Sequence, residues 1–242
     1  RSNTVDVLYV TDRKPLVSKQ GKLEYGAGRS PSMAYGSCVV EIGKNLSWET
    51  LVENSQKRHR SVPLDLSIRE VKEIGRSVAI PIPLTRTPEG IIMEDPESKA
   101  QQQEIFRQFH EEIGRRLALT SRKEAFIFIH GYSNTFERPM FVMAGLWHFL
   151  GRQGIPIVYT WPAGGKSPIQ GYTYDRESGE FTICHLKNFI QVLASCPELE
   201  KIHIISHSRG TDIATSAMGE LISEIRAARK SPHQELKLGN FI

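Results

Sequence analysis

Long hydrophobic runs are missing from this chain of 242 residues. No apolar stretch approaches the roughly 20 residues that a helix needs to cross a bilayer, so no membrane span is expected. Cysteine is scarce as well. Cys38, Cys184 and Cys196 have no metal-type spacing, and a helix bracketed by the last two would hold them about 18 Å apart, beyond the reach of a disulfide. None of the 8 histidines stands in metalloprotease spacing with an intervening glutamate. Cys184 and His185 are adjacent, and on a helix they would point about 100° apart. No metal and no cofactor is therefore expected. An excess of one charge is also absent: 31 Lys and Arg against 27 Asp and Glu leave a net charge of +4. The densest basic cluster, Lys57-Arg58-His59-Arg60, has few aromatics near it and no recognisable nucleic-acid module, and reads as solvated surface. A phosphate loop is missing too. Gly164-Gly165-Lys166-Ser167 has Thr160 where the first glycine belongs, and Pro168 and Gly171 follow where a phosphate-cradling helix should begin. No signal-peptide core precedes the opening at Arg1, which reads as a processed terminus or an artificial boundary. A soluble protein is expected, cytoplasmic or exported after removal of a signal.

The composition, 39% apolar and 24% charged, is that of a globular protein, and a chain of this length builds one α/β domain over residues 1–242. Early strand-like runs are Val5 to Val10, Cys38 to Ile42 after a Gly/Ser/Pro-rich stretch from Gly26 to Gly36, and Ser77 to Ile80. Residues 1–95 read as N-terminal strands and loops, with Asp12 to Gly75 forming either a lid or an extra edge of the sheet. From Glu97 the pattern becomes regular, opening with a helix whose Ile105, Phe109, Ile113 and Leu117 recur every fourth residue. Short apolar runs follow at Ala125–Ile129, Ile155–Tyr159 and Ile202–Ile205, with a last one opening near Leu236. Helix-patterned segments separate them, roughly Glu137 to Leu150, Phe181 to Ala194 and Thr211 to Ala228. Strands too short to alternate, interleaved with helices, predict a doubly wound, mostly parallel sheet covered on both faces. The chain stops at Ile242 inside the last of these strands, and the expectation is that the C-terminal part of the sheet is missing.

Ligands of such sheets bind at the carboxyl ends of the strands. Three stretches meet there: His130-Gly131-Tyr132-Ser133-Asn134-Thr135, Thr160-Trp161-Pro162-Ala163-Gly164-Gly165, and Ser206-His207-Ser208-Arg209-Gly210. The last is small-x-Ser-x-small between a strand and a helix, the outline of a nucleophile elbow with Ser208 at its tip. The bland alternative is a serine that caps the helix. Two backbone N–H groups, those of Tyr132 and Arg209, are the candidates for receiving a developing oxyanion. His130 and His207 read as parts of the rim rather than as general bases, and Trp161-Pro162 with its glycines as a mobile wall. His233 reads as a loop residue on the wrong edge of the sheet, and none of Asp212, Glu220, Glu224 or Glu235 ends a later strand. Acid and histidine are accordingly expected beyond Ile242.

Taken together, these residues resemble a bacterial α/β-hydrolase family of unknown function in the esterase/lipase superfamily. The resemblance rests on Val7-Leu8-Tyr9-Val10-Thr11-Asp12-Arg13, Tyr35-Gly36, Phe128 to Phe136, Tyr159-Thr160-Trp161-Pro162, Tyr172, Asp175, Ser178 and Ser206 to Gly210. It implies Ser208 as nucleophile, amides of Tyr132 and Arg209 as oxyanion hole, an acid soon after the strand near Leu236 and a histidine further on. The sequence departs from the family at Ser206, where Ala or Gly is usual, and at Arg209, where Met is common. Arg209 either draws anionic substrates to the cleft or lies across its rim. Asp175 is expected to cap the helix after it. The reading is a serine hydrolase of a small-molecule or lipid ester, and the alternative is a hydrolase-like fold kept as a non-catalytic binding module.

Overall fold

The computed structural model describes residues 2–44, 46–59, 64–164 and 168–242, with side chains from residue 171 in the last segment. In chain order the elements are β1 (Thr4–Val17), β2 (Leu23–Ile42), α1 (Trp48–Gln56), β3 (Leu66–Ala79), β4 (Leu84–Arg86), β5 (Ile92–Glu94) and α2 (Pro96–Leu117). Then come β6 (Glu124–Ile129), α3 (Glu137–Phe149), β7 (Ile155–Thr160), α4 (Pro168–Ala194), β8 (Lys201–Ser206), α5 (Arg209–Ala227), α6 (Pro232–Glu235) and β9 (Leu238–Phe241). Seven strands make one sheet in the order β3-β2-β1-β7-β6-β8-β9, and β4 with β5 forms a separate hairpin. β1, β7, β6, β8 and β9 run parallel, while β2 is antiparallel to both β1 and β3.

Period-two alternation sends the parallel strands' side chains into two cores. Ala125, Ile127 and Ile129 of β6, Ile157 of β7 and Ile204 of β8 pack under α2, α4 and α5. Phe126 and Phe128 of β6, Val158 of β7 and Val7 of β1 pack against α1 and α3. Both faces of these strands are apolar because helices cover both. α2 begins where Asp95 accepts from Ser98 N–H at 2.8 Å and Pro96 occupies the first turn, and Phe109, Ile113 and Leu117 form its buried stripe.

Three expectations change. Gly26 to Gly36, left outside the strand-like runs, is strand: β2 pairs with β1 and, from Ser32 onward, with β3, and at Gly36 a Cβ would stand 2.1 Å from the Lys72 carbonyl and 2.4 Å from the Tyr9 hydroxyl. The glycine leaves room for the Tyr9 ring to lie over the sheet, so tertiary packing overrides a weak strand propensity. β1 lies within the parallel set beside β7, ahead of the regular strand and helix pattern that starts at Glu97, and residues 23–42 and 66–79 extend the sheet as β2 and β3. α4 begins at Pro168, well before Phe181, because proline suits a first helical turn. Gly165, Lys166 and Ser167 of the stretch that fails the phosphate-loop pattern lie outside the described residues. Lys57, Arg58 and His59 are exposed, as a solvated cluster should be, and Arg60 lies outside the described residues. Cys38 and Cys196 are buried and Cys184 is exposed, all three as free thiols. Among the described residues no helix is long and apolar enough to cross a membrane.

The chain leaves β6 for β7 on one side and then returns past it to β8 on the other. Such a reversal opens a crevice at the carboxyl ends of the strands that flank it.

Candidate active site

At that crevice β8 turns directly into α5, and the turn residue is Ser208 with φ 54° and ψ −125°. A residue with a Cβ is strained at positive φ, and the surroundings hold it there. His207 N–H donates to Ile129 O at 3.0 Å, Gly210 N–H to His207 O at 3.0 Å and Thr211 N–H to Ser208 O at 2.9 Å. Gly210 is obligatory, since a Cβ there would lie 2.4 Å from the His130 carbonyl oxygen and 2.5 Å from that of Ile129. The Ser208 side chain is exposed and makes no capping bond to α5, which removes the helix-cap alternative. Ser206 turns its hydroxyl to Ile242 O at 3.1 Å.

The loop after β6 abuts this elbow. A Cβ on Gly131 would stand 2.9 Å from Ser208 Cβ and 3.0 Å from His207 O, so only glycine lets the two segments lie this close. His130 is not on the rim. It is 1% exposed, stacks on Trp161 with ring centroids 5.1 Å apart, and lies beside Arg13. Burial, and then the Arg13 guanidinium, push its pKa down to about 3, so the ring is neutral. Arg13 has donors only, so the facing Nε2 is the acceptor and Nδ1 carries the proton, donated to Gly131 O at 2.9 Å. Asn134 Nδ2 donates to the same carbonyl at 3.0 Å and to Tyr132 O at 2.9 Å. Because a trans peptide sets C=O and N–H on opposite sides, anchoring Gly131 O fixes the direction of Tyr132 N–H.

Trp161 is fully buried and donates to His130 O at 2.7 Å, which makes it a fixed prop rather than a mobile wall. Arg13, whose residue type within an apolar strand was the available signal, ties the two loops together. Its guanidinium donates to Thr160 Oγ1 at 3.0 Å, Ala163 O at 2.9 Å and Asn134 O at 2.8 Å, and burial lowers its pKa to about 10. Asp175 caps nothing: it sits inside α4, fully buried, and accepts from Ser133 N–H at 2.8 Å and from Gly164 N–H at 3.0 Å. Arg209 extends along the helices, pairing with Asp212 at 2.9 Å and lying 3.8 Å from Glu180.

Tyr132, Ser208 and Arg209 line one cleft of about 240 Å³, together with Tyr172, Asp175, Arg176 and Asp212. The last four are distant in sequence from the elbow, apart from Asp212, and only Tyr172 and Asp175 belonged to the recognised motifs.

With this geometry in place, residues 106–242 match a family described as alpha/beta hydrolase of unknown function (DUF900). The chain belongs to this family. No curated protein and no solved structure gives a match. The matched segment of this alpha/beta hydrolase opens within α2 and takes in β6, β7, β8 and the Ser208 turn.

Among the described residues that line the cleft there is no histidine. His203 pairs with Glu124 at 3.0 Å, but Glu124 opens β6 at the far end of the sheet. His185 is buried against Pro31 O at 3.1 Å, and His110 bonds Val192 O at 2.7 Å. His233 sits on α6, ahead of β9 and so at the opposite end from Ser208. His207 is exposed, and its Nδ1 faces Gly131. Two further carboxylates of the crevice are already engaged, Asp175 by loop amides and Asp212 by Arg209. β9 finishes at the elbow's own end of the sheet, with Ile242 O accepting from Ser206 N–H at 2.8 Å.

Proposed function

We propose that this alpha/beta hydrolase cleaves carboxylic esters through an acyl-enzyme, with Ser208 as the nucleophile. The observation that carries the reading is the strained backbone of an exposed serine whose hydroxyl makes no capping bond, beside a glycine-permitted loop whose Tyr132 amide has a fixed direction. Ser208 Oγ would attack the carbonyl carbon as a base takes its proton. The amides of Tyr132 and Arg209 would receive the oxyanion, the alcohol would leave with the returned proton, and water would then release the acid. Small-molecule and lipid esters both suit this chemistry, and it requires no cofactor.

The test is labelling of the full-length protein by a fluorophosphonate, with peptide mapping. Ser208 should carry the adduct, and Ser208→Ala should abolish it and reduce p-nitrophenyl ester turnover on the order of a thousandfold or more. A second reading, a binding module with a hydrolase fold, draws on the absence of histidine from the residues lining the cleft. Failure of the full-length protein to react, with the cleft intact, would favour it.

A further inference from the structure

We infer that Asp175 is a positioning residue for the Tyr132 amide, a buried carboxylate that locks the loops after β6 and β7 in one arrangement. The inference rests on the reading of Ser208 as a nucleophile and concerns how its oxyanion site is held. Each carboxylate oxygen is engaged by a different loop: Oδ2 accepts from Ser133 N–H at 2.8 Å, and Oδ1 from Gly164 N–H at 3.0 Å. Both donors lie in the left-handed region, Ser133 at φ 54° and Gly164 at φ 103°. For serine that conformation is strained and needs an outside hold. A carboxylate supplies one well, because its hydrogen bonds to N–H groups are roughly twice as strong as neutral ones.

The consequence for Tyr132 follows from the two peptides that flank it. The peptide before it is fixed through Gly131 O, by His130 Nδ1 and Asn134 Nδ2. The peptide after it is fixed at both ends: Asn134 Nδ2 holds Tyr132 O at 2.9 Å, and Asp175 holds Ser133 N–H. Removing Asp175 frees the second peptide at its N–H end and detaches the Gly164 loop. Ser208 is untouched by this, since its conformation is set by bonds from His207, Gly210 and Thr211. The carboxylate is also specific. Asparagine offers one acceptor and turns an NH2 toward the other N–H, so the isosteric change breaks one bond and sets donor against donor.

The experiment compares full-length wild type with Asp175→Asn and with Thr182→Val as control. Thr182 lies on the same helix and is buried, but its hydroxyl donates to Asp12 at 2.7 Å rather than to either loop. For Asp175→Asn, kcat on p-nitrophenyl butyrate should fall about 10- to 100-fold with KM within about threefold of wild type. The Ki of phenylboronic acid, which forms a tetrahedral adduct, should rise in step with the loss of kcat/KM. Amide exchange should quicken at Ser133 and Gly164. Thr182→Val should lower thermal stability and leave kcat unchanged. Wild-type kcat in Asp175→Asn, an effect on KM alone, unchanged exchange at those two amides, or an equal loss of kcat in Thr182→Val would each overturn the assignment. Wild type that fails to label at Ser208 would instead overturn the nucleophile reading, and the positioning role with it.

Discussion

Gly131→Ala probes the contact between the β6 loop and the elbow. The added methyl would start 2.9 Å from Ser208 Cβ and 3.0 Å from His207 O. Carbon atoms in ordinary contact stand about 3.5 to 4.0 Å apart, so the loop or the elbow must move by roughly 0.6 to 1 Å. Gly131 does not use the left-handed region, so backbone strain adds nothing to this and the effect is steric. Overpacking of this kind costs about 1 to 3 kcal/mol of stability. The larger effect falls on chemistry, because a displacement approaching 1 Å between reacting groups and their stabilising donors lowers rate by up to about 100-fold. The expected result is a kcat on p-nitrophenyl butyrate reduced roughly 10- to 100-fold, with unfolding in urea showing a stability loss of about 1 to 3 kcal/mol. Gly145→Ala on α3 is the matched control, since nothing lies within 4 Å of its Cβ position. It should leave turnover unchanged and raise stability by up to about 1 kcal/mol. Turnover of Gly131→Ala within twofold of wild type would refute the claim that this close approach shapes the active site.

Two other outcomes follow from buried groups. His130 titrates near pH 6.5 when unfolded but only at about 3 when folded, so its contribution to stability is complete above pH 6.5 and drains away as pH falls toward 3. Between pH 6.5 and 4.5 wild type should lose about 2 kcal/mol more than His130→Asn in urea unfolding, and parallel losses would mean that the ring is not held neutral. Thiol titration with a disulfide reagent should find Cys184 alone in the native protein and all three cysteines after denaturation. Burial pushes the Cys38 and Cys196 thiols up to about 12 and about 11, and native reaction of either would contradict the packing of β1, β2 and α4.

Ala125–Ile129, Ile155–Tyr159 and Ile202–Ile205 could be read directly as β6, β7 and β8, because a strand covered on both faces is apolar at every position. The helix pattern at Ile105, Phe109, Ile113 and Leu117 was equally direct. Ser208 and Gly210 could be found because a sharp strand-to-helix turn admits few residue types, and the close approach at Gly210 shows why. The strand at Gly26 to Gly36 could not. Its glycines look like loop residues until Tyr9 is known to lie over Gly36. Arg13 was visible only as a member of a motif, and the roles read for Asp175 as a helix cap and for Trp161 as a mobile wall were wrong, since the partners of all three lie far away in sequence.

The sequence by itself determined the parallel sheet, the helices on both faces and the elbow serine, because each follows from local periodicity or local steric demand. Tertiary structure alone decided that His130 is a neutral buried prop and that Asp175 and Arg13 bind the two rim loops together. It also gave the volume and the remaining lining residues of the cleft that Tyr132, Ser208 and Arg209 share. The physical reason is that protonation, burial and hydrogen-bond partnership depend on which distant segments meet at the end of the sheet. No spacing along the chain encodes that meeting.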